Sequence, residues 1–600
     1  MQNNYHLFHI PVMGTGFSID TPIKVAPFGI SSVISIIDDI LVEKVRKFYA
    51  RKYNFSFKEI AHNEFDSRAK RITEYLNLVQ KIVNIKIEEI KNQPFFQQNN
   101  KSKYFEMLPE SSPLKHAYNR LFHIVEGPQK DFLAAELNDS ILPGSIDVNI
   151  MSKIDQINLT TRKEMTGDEF SEAKAALRGF AKSNLSSSVV FSAGINRGLF
   201  TSISQFSDFY RDHTGQLKKK ITLKVSDFRS ALIQGKFLAA KGLEVSEFRI
   251  ESGLNCGGHS FVSNGLLLPF LLREFKEKKA QLTEELKPVI QRYYETMGRE
   301  FPLSALTEEP LITVQGGIGT SGEAQRMIED FGCDSTGWGS PFLLVHEATN
   351  VDRDTLELLM NATKDDLYLS NSSPLGVPFN NLRNTGSEHW TKTKSLTPKP
   401  GSPCPKGCLV SNTEFSDTPI CTASTLYQTQ KISEINNWDT SEENKRKFIN
   451  AVHEKICLCE HLGNGTLISL GIDKKKVSPQ AICPGPNIVW FNREYSLREM
   501  IDHIYGRGLS LVPEERPHMF CQEIELYVNY IDRLFDTIEL DEKGISYLKK
   551  FRENLETGMD YCLEIGLKEA YPHENLASIP SFISEQKLKL NRIFAENNLI

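Results

Sequence analysis

Residues 246–272 read SEFRIESGLNCGGHSFVSNGLLLPFLL. The alternating run Phe248-Arg249-Ile250-Glu251-Ser252 predicts a short strand. It empties into Gly253-Leu254-Asn255-Cys256-Gly257-Gly258-His259, and an apolar, helix-like segment resumes at Leu266. Strand, glycine loop and helix in succession form one unit of an α/β fold. Gly253, Gly257 and Gly258 carry no Cβ, so the backbone there can turn tightly and approach a ligand. They leave His259 as the one strong acid/base group at the tip, and an unperturbed imidazole, titrating at ~6.5, suits proton removal at neutral pH. A core histidine bonded to a neighbouring strand would use the same letters.

The unit repeats on both sides. Upstream, β-branched runs predict strands at 23–26, 33–37, 146–150, 187–192 and 221–226, with helices at 166–184 and 229–241. Downstream, helices at 266–279 and 282–297 lead to a strand at 310–315, a helix at 323–331 and a last strand at 333–338. Eight strands separated mostly by helices predict an α/β chain with a (β/α)8 TIM barrel, whose sites lie on the loops after the strands. All the glycine-rich loops fall on that face. Lysine- and glutamate-rich helical patterning at about 40–140 reads as a helical insertion. The expected organisation is a barrel over 1–375 with that interruption, a cysteine-rich region over 376–490 and a helical region over 491–600, so that the extension is cysteine-containing and mainly helical.

Composition narrows the partners. The 70 basic and 76 acidic side chains, with no long run of one sign, give no electrostatic reason for a nucleic acid or anionic membrane partner. The N-terminal residues lack a basic stretch followed by an apolar one, and no apolar run is long enough to span a bilayer. A cytoplasmic protein acting on a small molecule is therefore expected, with its oligomeric state open. Ten cysteines are too sparse for a disulfide-built fold. Cys404, Cys408, Cys421, Cys457, Cys459 and Cys483 nevertheless crowd together, and in a reducing compartment such crowding favours a metal or cluster over disulfides. An iron-sulfur cluster or zinc would use at most four of them, although their spacings match neither zinc ribbons nor ferredoxin runs.

A second loop invites a phosphate. Gly316-Gly317-Ile318-Gly319-Thr320 follows a strand and precedes a helix, so successive backbone N–H groups could hold an anion, and Gly339-Ser340 after the last strand would form the other lip. Barrels commonly build a phosphate site after strands seven and eight. A purely structural turn would need the same glycines. Lys224 and Asn149, near strand ends, could point a cation and an amide into the mouth.

Together these segments resemble the nitronate monooxygenase and 2-nitropropane dioxygenase-like flavoproteins, which share an FMN-binding barrel with the flavin-dependent enoyl-ACP reductases. The resemblance is carried by PIKVAPFGIS at 22–31, Val148-Asn149, SGLNCGGH at 252–259 with Leu267-Leu268-Pro269, Gly316-Gly317-Ile318, and GWGSPFL at 337–343. SPLGVP at 373–378 and the cysteines that follow are similar to the tail of one branch. It implies FMN with its phosphate at Gly317, Gly339 and Ser340, its ring near Ala26, Asn149 and Lys224, and a base at His259; Pro27, Gly253, Gly257, Gly258 and Gly316 are expected among the cofactor-binding residues. Asn255 and Cys256 stand where the family usually has glutamate and alanine.

The expected function is thus an FMN-dependent oxidoreductase resembling nitronate monooxygenase, in which His259 removes a proton from a carbon acid and O2 or NAD(P)H is the second reactant. One alternative is an NAD(P)H-dependent flavin enoyl-thioester reductase. Another is a non-redox barrel that binds a phosphate ligand and uses Cys256 as nucleophile, or that serves in assembly.

Overall fold

Most residues of the parallel strands are buried, as for a sheet covered on both faces, and consecutive strands pair in sequence order until the first meets the last. They are β1 (Phe8–Ile10), β2 (Ser31–Ser35), β3 (Ile146–Ile150), β4 (Ser187–Phe191), β5 (Lys219–Val225), β6 (Glu247–Glu251), β7 (Leu311–Gln315) and β8 (Ser335–Gly337). Every pairing is parallel, and the register Phe8↔Thr336, His9↔Gly337 closes β1 on β8. Parallel neighbours need crossovers, and helices supply them, including Glu172–Lys182, Phe228–Ala239, Leu268–Thr296 and Ser321–Glu329. The chain is a (β/α)8 barrel. The computed structural model describes residues 5–152, 155, 167–258, 264–404, 406–472, 478–535, 538 and 540–599.

One strand differs from the sequence reading. Residues 23–26 are not a strand: they belong to the helix Thr21–Val25 and the single 3-10 turn Ala26–Phe28. Pro22 at the first turn lacks only an N–H that a helix start leaves unpaired anyway, and so short a β-branched run has no period to set against it. The first strand is Phe8–Ile10, three residues ended by Pro11.

Between β2 and β3 the chain forms five helices, Asp39–Lys52, Ser67–Lys91, Asn100–Met107, Pro113–Leu121 and Pro128–Asp139. The Ser67–Lys91 helix packs directly on Glu172–Lys182, where a Cβ on Gly179 would lie 2.8 Å from Ile72, so only glycine permits that approach. Arg68 and Arg71 each reach Asp39 at 2.7 Å within the insertion, and Arg68 Nη2 also donates to Ile37 O at 3.0 Å, just past the end of β2.

Past the barrel, Leu367–Ser370 and Phe379–Leu382 form an antiparallel pair. The Leu458–Ser469 helix then docks on the loop after β1, with Thr466 Oγ1 donating to Gly16 O at 2.6 Å. Near the C-terminus, Met519–Phe535, Glu542–Gly566 and Ile579–Glu596 pack on one another, and Glu542–Gly566 also packs against Leu268–Thr296. Among the described residues no helix is long and apolar enough to cross a membrane.

Candidate active site

The carboxyl ends of β1 to β6 surround a cavity of about 790 Å³. Its floor and walls come from the barrel, and its roof comes from the post-barrel region through Val377, Phe379, Leu409 and Leu462. Besides the Thr466–Gly16 bond, a hydrogen bond and an ion pair hold the roof. Asn380 N–H donates to Gly258 O at 3.1 Å, and Lys406 pairs with Asp38 at 2.6 Å. Gly257 and Gly258, at φ 118° and 79°, take the left-handed backbone that the loop requires and that glycine alone adopts cheaply. His259 itself lies outside the described residues.

One carboxylate organises the polar wall. Glu251, the last residue of β6, receives Lys224 Nζ at 3.2 Å, Asn255 Nδ2 at 2.6 Å and Gln315 Nε2 at 2.7 Å, all on Oε1. Among the described residues Oε2 has no hydrogen-bond partner of its own. Across the mouth Asn149, at the end of β3, presents a buried Oδ1 that also has none. A buried polar atom left unpaired costs about 1–3 kcal/mol, so its persistence at a cavity wall marks a place where a ligand would supply the partner. Asn149, Lys224, Gly253, Gly257 and Gly258 all line this one cavity.

Ala26 and Pro27 do not join them. They precede β2, where Ala26 O accepts from Gly144 N at 2.9 Å just ahead of β3, which puts them at the amino end of the barrel, opposite the cavity. The place after β1 is taken instead by Val12, Gly14 and Thr15.

The expected phosphate loops do not fit a phosphate. Gly316, Gly317, Gly339 and Ser340 are not among the cavity's lining residues, and protein groups fill the space between them. Arg516 Nη2 donates to Gly317 O at 2.7 Å, and Asn487 Nδ2 donates to Ile318 O at 2.9 Å. A Cβ on Gly319 would sit 2.5 Å from the Arg516 guanidinium, and one on Gly339 would sit 2.8 Å from Cys256 Cβ. The anion at this helix N-terminus is the chain's own Glu323. It accepts Gly319 N–H at 2.8 Å, Met519 N–H at 2.7 Å and Arg516 Nη1 at 2.7 Å. Burial pushes its carboxyl upward, but Arg516, His518 and the Gly319 N–H together outweigh burial and lower it from its ordinary value.

Five of the six cysteines adjoin one another: Cys404 faces Cys421, Cys408 faces Cys459, and Cys459 in turn interacts with Cys457 and Cys421. Cys483 lies elsewhere, its carbonyl 3.7 Å from Cys256 Sγ. The hydrogen bond from Cys421 holds Cys404 down at about 7. Among the described residues no three His, Cys, Asp or Glu side chains converge as a metal ion requires, so the iron-sulfur and zinc expectations find no support. Burial pushes the Cys256 thiol well above its ordinary range, which argues against a thiolate nucleophile there.

Sequence reasoning missed Glu251, although the end of a barrel strand is where such a residue belongs. It also missed the PVMGTG turn at 11–16. Neither the filling of the β7–β8 loops nor the roof has a local signature, because the partners are distant in the chain.

No family model matches the chain, and no curated protein does. Solved structures similar to it include FabK from Thermotoga maritima, with 11% identity over 68% of this chain and 85% of that one at a TM-score of 0.30. The enoyl reductase domain of MlnA from the macrolactin biosynthesis cluster of Bacillus amyloliquefaciens gives 13%, 72%, 87% and 0.32, and nitroalkane oxidase from Streptomyces ansochromogenes gives 11%, 63%, 83% and 0.28. At these values no residue role passes from them to this chain, and the barrel rests on its own strand pairing.

Proposed function

We propose that the chain is a flavin-dependent oxidoreductase whose active site is the cavity at the mouth of β1 to β6. The observation that carries the reading is the unpartnered Asn149 Oδ1 facing the same cavity as Lys224 and the β6 glycine loop; Asn149 and Lys224 are two of the residues that the resemblance assigns to a flavin ring. A bound flavin would supply the redox chemistry. Asn149 would hold the ring edge from one wall and Lys224 would offer a cation from another. The roof would exclude water, and Glu251 or His259 would accept a proton from a carbon-acid substrate such as a nitroalkane. O2 or NAD(P)H is the proposed second reactant. NAD(P)H consumption that depends on an enoyl thioester, without turnover of a nitroalkane, would move the chain to the reductase branch.

Two measurements test this. The purified full-length protein should show flavin absorption bands or acquire them on incubation with flavin, and Asn149→Leu should weaken binding by about 5- to 150-fold, since an amide partner inside a dry site is worth about 1–3 kcal/mol. A protein that takes up no flavin sinks the proposal. Because the β7–β8 loops are filled, riboflavin and FMN should bind within about tenfold of each other. In a preformed phosphate cradle the charge-assisted bonds, each worth about 1.5–3 kcal/mol, would separate them far more, and such a gap would mean that Arg516 and 483–487 make way for the phosphate.

A further inference from the structure

Both flanks of the β6 glycine loop end on one buried carboxylate. Glu523, on the Met519–Phe535 helix, accepts Ser252 Oγ–H at 2.6 Å and Gly253 N–H at 3.4 Å on Oε1, and Leu268 N–H at 2.8 Å on Oε2. Ser252 and Gly253 leave β6, and Leu268 opens the next helix. Glu523 is 2% exposed. The groups around it are Tyr527 of its own helix, which packs where a Cβ on Gly253 would fall, Cys521 of the same helix, and Cys562 of Glu542–Gly566. Among the described residues no charged side chain contributes to its ionisation.

We propose that Glu523 is a positioning residue: it latches the flanks 252–258 and 264–268 to the C-terminal helices and so holds in place the cavity wall made by Asn255, Cys256 and Gly257. The latch concerns the loop itself and stands or falls independently of whether the cavity takes a flavin.

Its pH response has a definite sign. An ionised carboxylate is acceptor-only and matches three donors, yet burial without a counter-charge dominates and pushes the carboxyl up from 4.5 to about 7. When the flanks release, the carboxyl returns to water and its ordinary ionisation. Between 4.5 and about 7 the latched form therefore holds a proton that the released form has lost. Raising the pH through this window favours release, by up to about tenfold in the opening equilibrium per pH unit, and beyond it the response is flat.

Hydrogen exchange of the full-length protein, corrected for intrinsic rates and followed in peptides covering 252–258 and 264–272, reads that equilibrium directly. In the parent protein both flanks should lose protection together, at least about tenfold between pH about 5 and about 7, with no further loss at pH about 8. Glu523→Gln cannot ionise, and its NH2 must face either Leu268 N–H or the Ser252 and Gly253 donors, so it gives up an acceptor. It should abolish the pH response of both flanks between pH about 5 and about 8. Ser252→Ala removes a donor that favours the ionised form, so it should keep the transition and move its midpoint upward. The proposal is overturned if Glu523→Gln keeps the parent's pH response, which would assign the titration to His259 in the same loop; burial holds the Cys521 and Cys562 thiols far above this window.

Discussion

Arg516→Ala is expected to destabilise the folded chain by about 3–5 kcal/mol, the range found when one member of a buried ion pair is removed and the other is left behind. Arg516 and Glu323 side chains are 2% and 1% exposed. The guanidinium meets Glu323, Gly317 O and the Asn487 amide oxygen at once, so alanine strands a carboxylate and two carbonyl acceptors inside the protein. Arg516→Met with Glu323→Gln tests the cause. If the stranded charge dominates, the pair of changes should recover more than half of the loss; if it recovers nothing, the loss belongs to shape. Acid supplies a second reading. In the parent, Glu323 is held below its ordinary value of 4.5, so its contribution is present above that pH and is lost as the pH falls through the depressed value. In Arg516→Ala the same carboxyl stays buried and loses its main counter-charge, so its ionisation shifts upward, and its protonation relieves the defect. The gap between parent and variant should therefore be widest at neutral pH and narrow toward pH about 4. Urea unfolding read at the first transition is the appropriate measurement, because a chain of this size need not unfold in one step.

This ion pair also shows where a sequence stops being readable. Seven of the eight strands were legible, since each parallel strand is a β-branched run bounded by glycine or helix signals. The exception, Phe8–Ile10, is only three residues long and has no period to recognise. The helix at 21–25 looked like a strand because its apolar residues are branched. Within the site, Asn149, Lys224 and the β6 glycines were legible because barrel topology sends strand ends to one face. The content of the β7–β8 loops was not. GGIGT has the backbone of an anion cradle, and the anion and cation that occupy it are Glu323, four residues beyond Gly319, and Arg516, 199 residues beyond Gly317. The same holds for Cys256, whose neighbour Cys483 is 227 residues away.

Glu251→Gln is expected to lower turnover by about 10²- to 10⁴-fold, the usual worth of a positioned general base, while leaving the cavity's ligand bound. The geometry makes the substitution selective. Three donors, Lys224 Nζ, Asn255 Nδ2 and Gln315 Nε2, converge on Oε1, so a glutamine must turn its carbonyl oxygen toward them. Its NH2 then falls at the position of Oε2, and the free acceptor at the cavity wall becomes a donor with the framework unchanged. Ligand affinity should stay within about threefold, and the rate of substrate-dependent reduction should collapse. Glu251→Asp should retain part of the rate, since it keeps an acceptor but withdraws it from the wall. His259→Asn is the decisive comparison. If it abolishes turnover while Glu251→Gln loses less than about tenfold, the proton goes to the imidazole and Glu251 serves to orient Lys224 and Asn255. If the losses are reversed, the carboxylate at the end of β6 is the base, reached through the strand rather than through the glycine loop beyond it.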